Sequence, residues 1–305
     1  MFDPKAYLLM NQASQKIPRS VGTHDGTFHA DEVTACALLE YFNLIDHDKI
    51  KRTRSADDLR HCEYVCDVGG IYDPSIKRFD HHQADYKGPL SSAGMILEYL
   101  RQTGVIKSKE FDFFNNSLVR GVYAHDNGKD PQIPGFCTFS QVVSNFTPIH
   151  YDAPPEAQDV AFLEAEKFAL GHITRLWQRY QYNQTCREVV EQAMADYRDC
   201  LVFDKSIPWM DAFFDLDGER HPARFVIMPS GKSWKLRGIP PSCDDKMKVR
   251  QPLPEEWAGL LDEDLQKVSG IPGALFCHKG RFISVWKTRE DAQIALEKIL
   301  HARTA

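Results

Sequence analysis

The chain has no Cys-x-x-Cys pair. Its cysteines are scattered at positions 36, 62, 66, 137, 186, 200, 243 and 277, which argues against a zinc ribbon and against a thioredoxin-type redox site. Buried, reduced thiols in a reducing compartment are the expectation. No long apolar run occurs, so no membrane-spanning helix is expected. Positive charge is not in excess either, because the formal net charge is −6. The molecule as a whole is therefore not a basic nucleic-acid binder. Any site that recognises phosphate must be a local cationic patch or a metal centre. Internal repeats and low-complexity tracts are also missing, which leaves an ordinary globular organisation. The opening stretch, MFDPKAYLLMNQASQKIPRS, lacks the apolar core of a signal peptide and the acid-free, Arg-rich pattern of a transit peptide. A cytoplasmic location is the default expectation.

What is present suits two globular domains. Apolar residues make up 43% of 305 residues, enough for a sizeable core without disulfide staples. The segment RSVGTH around 19–24 reads as a short strand entering a loop, and ADEVTACALLEYF as a helix with acids in its first turn. KIKRTRS is a candidate edge strand. CEYVCDVGG is an apolar strand that ends in Asp67 and two glycines. KRFDHH follows a turn at Asp73-Pro74-Ser75. SAGMILEYLRQTG predicts a helix ending at Gly104, and FDFFNNSLVRGVYAHDNG another ending near Asp126. This alternation predicts a parallel α/β sheet. Residues 155–198 predict two long helices, and a smaller α/β unit follows from about 200. The expected division is 1–198 and 199–305.

Four short segments carry chemistry: THDGTFHADE at 23–32, VCDVGG at 65–70, RFDHHQ at 78–83 and AHDNGKD at 124–130. Each places His or Asp near the end of a predicted strand or helix, next to glycine. In an open α/β sheet, sites form beyond the carboxyl ends of the strands, so separate segments of this kind can converge. Taken alone, any of these residues reads as a cap or a surface polar group, and Asp31 sits where a helix dipole favours an acid. The chain has only 12 histidines, however, and four of them fall in two of these segments. Mixed imidazole and carboxylate donors suit Mn²⁺, Fe²⁺, Co²⁺ or Zn²⁺ better than Ca²⁺. A pair of ions roughly 3.5–4 Å apart needs a bridging carboxylate with ligands on both flanks.

FDHHQ resembles the Asp-His-His signature of the phosphoesterase superfamily that includes RecJ-type exonucleases, oligoribonucleases and manganese inorganic pyrophosphatases. THDGTFHADE, CDVGGIYD, FDHH and HDNG together resemble the melanocyte proliferating gene exonuclease family within it. WKLRGIP, WAGL and SGIPGALFCHKGRF resemble the same family further along. The resemblance implies a parallel-sheet catalytic domain, a smaller α/β carboxy-terminal domain and an active-site cleft between them. It implies His24, His29 and Asp67 on one metal, and Asp31, Asp67, His81 and Asp126 on the other, with Asp67 bridging. His82 would face the substrate phosphate, and Asp80 would orient a histidine through its other ring nitrogen. The superfamily usually has Asp where this chain has His29, with one residue fewer after the first His. The narrower family shares the change. Two divalent ions bring four positive charges and the three aspartates return three, which favours a bridging hydroxide as nucleophile. Asp25 and His125 flank the implied ligands and are the alternatives to them.

In the second half, Lys232, Lys235, Arg237, Lys246, Lys248 and Arg250 cluster against Asp244 and Asp245, and His278-Lys279-Gly280-Arg281 follows a Gly-containing turn. A glycine turn beside cations can present N–H groups and charge to a phosphate. A solvated basic face is the plain alternative for 246–250. Arg237, His278 and Lys279 interrupt apolar strands and are the candidate substrate contacts. Phe225, Trp234, Phe276, Phe282 and Trp286 read mainly as core, with base stacking as the alternative.

The expected function is a metal-dependent phosphoesterase, a 3′–5′ exonuclease on RNA in the family's manner. The expected cofactors are two divalent ions, Mn²⁺ ahead of Mg²⁺, Co²⁺ or Zn²⁺. An inorganic pyrophosphatase or small-nucleotide phosphodiesterase is the enzymatic alternative. A non-catalytic nucleotide- or RNA-binding protein is the alternative of another class. The expected partner is RNA or a small phosphorylated nucleotide, with no membrane. For a eukaryotic source, the resemblance also allows nucleus or mitochondrion.

Overall fold

The computed structural model describes residues 16–131, 133–150, 152–245 and 248–301. Residues 1–15, the bulk of the stretch read above for a leader, lie outside the described residues, as does Lys246. The chain forms two compact units, Met1–Gln178 and Arg179–Ala305.

The first unit starts with β1 (Ile17–Thr23), followed by helix α1 (Ala30–Tyr41). Every residue of α1 from Ala30 to Leu39 is buried. Its run of Ala, Cys and Thr keeps that helix thin enough to be packed on all sides. Next come β2 (Ile50–Arg52), α2 (Ala56–His61), β3 (Cys62–Cys66), β4 (Tyr72–Asp73) and β5 (Arg78–Phe79). They make one sheet in the order β2-β1-β3-β5-β4. The β2, β1, β3 and β5 pairings are parallel, and β4 is an antiparallel edge. That edge is two residues long, below what alternation can reveal. The parallel arrangement matters for function. It puts the carboxyl ends of β1, β3 and β5, and thus His24, Asp67 and Asp80, along one side of the sheet.

Helices α3 (Ser92–Gln102), α4 (Ser108–Phe114) and α5 (Arg120–Asp126) follow, the last two joined by a π turn at Asn115–Val119. The sequence reads this stretch as one helix, and the wide turn inside it is a feature often found at functional sites. After α6 (Phe139–Ser144), residues 155–196 form one 42-residue helix, α7 (Pro155–Asp196), where two were expected. A lone Gly171 does not break it, since an isolated glycine costs only about 1 kcal/mol against alanine. Phe162, Ala165, Ala169 and Ile173 on this helix lie in the core of the first unit. Their spacing of three and four residues is the helical apolar stripe.

The second unit contains β6 (Cys200–Val202), α8 (Met210–Asp215), β7 (Phe225–Ser230), β8 (Ser233–Gly238), α9 (Asp262–Ser269), β9 (Ala274–Cys277), β10 (Ile283–Trp286) and α10 (Arg289–His301). Its sheet runs β6-β7-β8-β10-β9. Only β6–β7 is parallel, and the remaining pairs are antiparallel. One face buries Trp286, Phe225 and Leu236 with residues of α9 and α10, and the other buries Val226 and Met228 with Phe213 of α8. Cys36, Cys62, Cys66, Cys186, Cys200 and Cys277 are buried free thiols, while Cys137 is exposed and Cys243 half-buried. No helix among the described residues is long and apolar enough to cross a membrane.

Candidate metal centre

The centre is assembled by four chain segments. After β1, Gly26 takes a left-handed turn (φ 80°) and His24 is left buried at its edge. His24 donates Nδ1–H to the Asp25 carbonyl at 3.0 Å, which leaves Nε2 with its lone pair facing the centre when the ring is neutral. That nitrogen lies 3.0 Å from Glu32 Oε1 and 3.5 Å from Asp67 Oδ2. Exposed His29 precedes α1, and its backbone N–H donates to Glu32 at 2.9 Å. Asp31 and Glu32, in the first turn of α1, are both fully buried. Asp31 accepts from the backbone N–H groups of Ser92 and Ala93, each at 2.8 Å, and from Ser91 Oγ. The amino terminus of α3 is thereby tied to that of α1.

Asp67 follows β3 in a left-handed conformation (φ 60°), a strained state for a side chain that Asp tolerates better than most. Its carboxylate is the hub of the site. Oδ1 lies 3.2 Å from His81 Nε2 and also takes Ser92 Oγ–H at 3.2 Å, while Oδ2 faces His24. His81 Nε2 lies 3.2 Å from Asp126 Oδ2, at the end of α5, and 3.9 Å from Asp31 Oδ2. Asp80 accepts from Gly70 N–H at 2.6 Å and from His82 N–H at 3.1 Å, and its Oδ1 is 2.8 Å from His82 Nδ1. It fixes both the 67–70 loop and the His82 ring. His82 remains 62% exposed, available to a bound molecule.

Two donor groups result. His24, His29, Glu32 and Asp67 form one; Asp31, His81 and Asp126 form the other, which Asp67 touches through His81 and His82. Two adjoining cavities, of about 410 and 320 Å³, open onto them, and His29 and His82 line both. The electrostatics are those of a site built for cations. Burial, then the charges of Asp67 and Asp126, push the Asp31 carboxyl well up. Burial likewise raises Glu32 and Asp126. Burial opposes protonation of His24, but its bonds to Asp67 and Glu32 outweigh it and lift the ring to about 10. His81 rises to about 9 against the same burial, through Asp67, Asp31 and Asp126. Asp67 is held well below the usual range by His24 and His81 despite its burial. Glu32 Oε2 is buried with no hydrogen-bond partner, and a buried unpaired atom of this kind is costly. His81 Nε2 is buried between the Asp67 and Asp126 carboxylates at 3.2 Å each, and a divalent ion would satisfy both residues. The donor set, imidazole plus carboxylate, fits first-row divalent ions.

Comparison with known proteins identifies the family. The MYG1_exonuc family model, described as "Uncharacterised protein family (UPF0160)", matches residues 20–299. This chain belongs to the MYG1 exonuclease family. It is 52% identical over 288 residues to the MYG1 protein of Chlamydia pneumoniae, covering 94% of this chain and 99% of that one. It is 32% identical over 317 residues to the MYG1 exonuclease of Homo sapiens, covering 90% and 84%. A solved structure of RecJ with Mn²⁺ from Thermus thermophilus aligns over 96% of this chain and 54% of that one, at 13% identity and a TM-score of 0.28. A likeness of that size carries no argument about the site, which rests on the residues above.

In this family member the six ligands expected from the sequence, His24, His29, Asp31, Asp67, His81 and Asp126, all lie in the two groups. Asp25 turns away to Arg54, 3.2 Å from its Nε, and His125 turns to Asp130 at 2.7 Å. Sequence reasoning missed Glu32. Its position in a helix's first turn gave it a sufficient explanation as a dipole partner, and only its distance to His24 brings it into the site. Arg52, too, reads in the sequence as plain edge strand. Its guanidinium stacks over Phe28 and Phe162, donates to the Gly26 carbonyl and pairs with Asp159 at 2.7 Å, anchoring the loop that carries His24 and His29.

The second-unit candidates are also placed. Arg237 on β8 pairs with Ile283 on β10, and His278 N–H donates to the Ile283 carbonyl. Arg237 and His278 therefore share one row across the sheet, on the face that carries half-buried Lys235. Arg237 Nε is buried without a partner, and burial lowers both Arg237 and Lys235. Lys279 is exposed beside Gly259. Arg250, by contrast, is structural: it donates to the carbonyls of His221, Ala223 and Gly218 at 2.6, 2.8 and 2.7 Å. Phe225 and Trp286 are core.

Proposed function

We propose that this chain is a metal-dependent phosphoesterase, acting as a 3′–5′ exonuclease on RNA. The observation that carries the reading is the Asp67 carboxylate, whose two oxygens face opposite histidines, His24 and His81. His24, His29, Glu32 and Asp67 would hold one divalent ion, and Asp31, Asp67, His81 and Asp126 the other. Bound there, such ions supply Lewis acidity toward phosphoryl oxygens and a more acidic water. Three imidazoles favour Mn²⁺ over Mg²⁺, which prefers oxygen shells.

The chain's own residues do the rest. Asp80 accepts the Nδ1–H of His82, which leaves His82 Nε2 to hold or move a proton at the phosphoryl or leaving-group oxygen. Arg52 and the α3 terminus keep the ligand loops in place before substrate arrives. Arg237, His278 and Lys279 bind substrate phosphates, with the Arg fork and the Lys point charge not interchangeable. The name of the human relative, an exonuclease, supports a nucleic-acid substrate. The test is Mn²⁺-dependent cleavage of end-labelled short RNA, with single-stranded DNA, dinucleotides and pyrophosphate alongside. Nucleotide-by-nucleotide loss from the 3′ end is expected. Preference for pyrophosphate or dinucleotides would replace the exonuclease reading, and binding without turnover would end the enzymatic one.

A further inference from the structure

A second donor cluster lies at the other end of α1. Glu40 sits in its last turn, nine residues beyond Asp31, so the two are about 14 Å apart along the helix axis. His47 opens the short 3₁₀ turn His47–Lys49, and Glu166 projects from α7. His47 Nδ1 is 3.1 Å from Glu40 Oε2 and 3.3 Å from Glu166 Oε2. One donor atom from each of the three residues falls within a 4.8 Å group.

The telling member is Glu166. It is fully buried, with 0% of its surface exposed; its Oε1 has no hydrogen-bond partner, and its Oε2 has only the His47 contact at 3.3 Å and the neighbouring Glu40 carboxyl. A carboxylate in that setting is expensive unless something compensates it. Burial, and next to it the Glu40 carboxyl, push Glu166 up to about 8. Two acids and one imidazole therefore crowd together within hydrogen-bonding reach of one point. The mouth is open on one side, since His47 is 45% and Glu40 21% exposed.

We propose that Glu40, His47 and Glu166 form a further divalent-cation site, of the Zn²⁺ type, which fastens the connection after α1 to helix α7. Ligands about 2.0–2.2 Å from a tetrahedral ion stand roughly 3.3–3.5 Å from one another. The His47 distances of 3.1 and 3.3 Å already lie near that spacing. Two carboxylates neutralise a divalent ion, the neutral imidazole completes three protein ligands, and water reaches the fourth position from the His47 side. The role is structural: the ion ties two elements that otherwise meet through like charges. None of these residues belongs to the proposed catalytic centre, so the site stands or falls independently of it.

The experiment counts zinc. Wild type, His47→Ala and Glu166→Gln are loaded with Mn²⁺, titrated with Zn²⁺, desalted and analysed for both metals. RNA cleavage is assayed in parallel. Crystals of the wild type are measured at the zinc absorption edge. The wild type should carry one more zinc than either variant, with an anomalous peak among the three side chains. Zn²⁺ should raise its Tm by several degrees, cleavage should be alike in all three proteins, and the zinc-dependent Tm rise should vanish in the variants. His47 lies at the surface and Glu166→Gln keeps the side-chain shape, so both should fold. Equal zinc counts, or an anomalous peak confined to the Asp67 centre, would overturn the proposal and leave a carboxyl pair that shares a proton.

Discussion

Glu32→Gln separates a ligand from a helix cap. The glutamate is fully buried, its Oε1 is 3.0 Å from His24 Nε2, and the same oxygen takes the His29 N–H at 2.9 Å. A glutamine carbonyl can still accept that N–H, so the start of α1 should hold. What goes is one of four acidic charges, alongside Asp31, Asp67 and Asp126. A unit charge pair about 4 Å apart contributes about 4 kcal/mol at an effective dielectric near 20. The cost of keeping a carboxylate desolvated cancels much of that. The net expectation is a 10- to 100-fold loss of metal affinity, about 1.4–2.7 kcal/mol. Calorimetric titration of Mn²⁺ into metal-free wild type and variant measures it, with circular dichroism to verify folding. Unchanged affinity together with unchanged kcat/KM would mean that Glu32 only caps the helix and that the charge count of three aspartates stands.

Other perturbations follow from the same geometry. Asp67→Asn keeps the left-handed turn, because Asn tolerates it, yet it should lose both metals and at least roughly 1000-fold in rate; retention of one ion in full would show that the carboxylate is not shared. His82→Ala should keep the metals and lose on the order of 100- to 10,000-fold in kcat, whereas His81→Ala should lose metal; equal metal loss in both would erase the division between them. Arg237→Ala and Lys279→Ala should each cost roughly 30- to 1000-fold in kcat/KM, about 2–4 kcal/mol, with metal content unchanged; wild-type kinetics would reduce them to a basic surface.

Much of this is legible in the residues because strand ends, glycines and histidines coincide in them. VCDVGG and RFDHHQ place their acids at the carboxyl ends of adjacent parallel strands, and alternation with helices predicts that adjacency. ADEVTACALLEYF reads as the helix it is, though not as one buried on every side. What stays hidden is non-local. Tyr72–Asp73 is too short to announce an antiparallel edge. The sequence suggests two helices where α7 is one, because polar composition gives no sign of continuity. ALFCHKGRFISVW conceals a hairpin, since its turn at His278–Arg281 is flanked by strands of similar composition. Glu32 closes the THDGTFHADE segment, but a place in a helix's first turn explains it without a ligand role, and only its burial and its 3.0 Å distance to His24 bring it into the site. Glu166 carries no motif, and only burial distinguishes it from a surface acid.

In the proposed centre one carboxylate, Asp67, joins two cation sites at the end of a parallel sheet. Crystals soaked in Mn²⁺ and measured at the manganese absorption edge test it most directly. Two anomalous peaks about 3.5–4 Å apart are expected, one on the His24–Glu32 side of Asp67 and one on the His81–Asp126 side. A single peak at saturating Mn²⁺, or two peaks that do not flank Asp67, would contradict it.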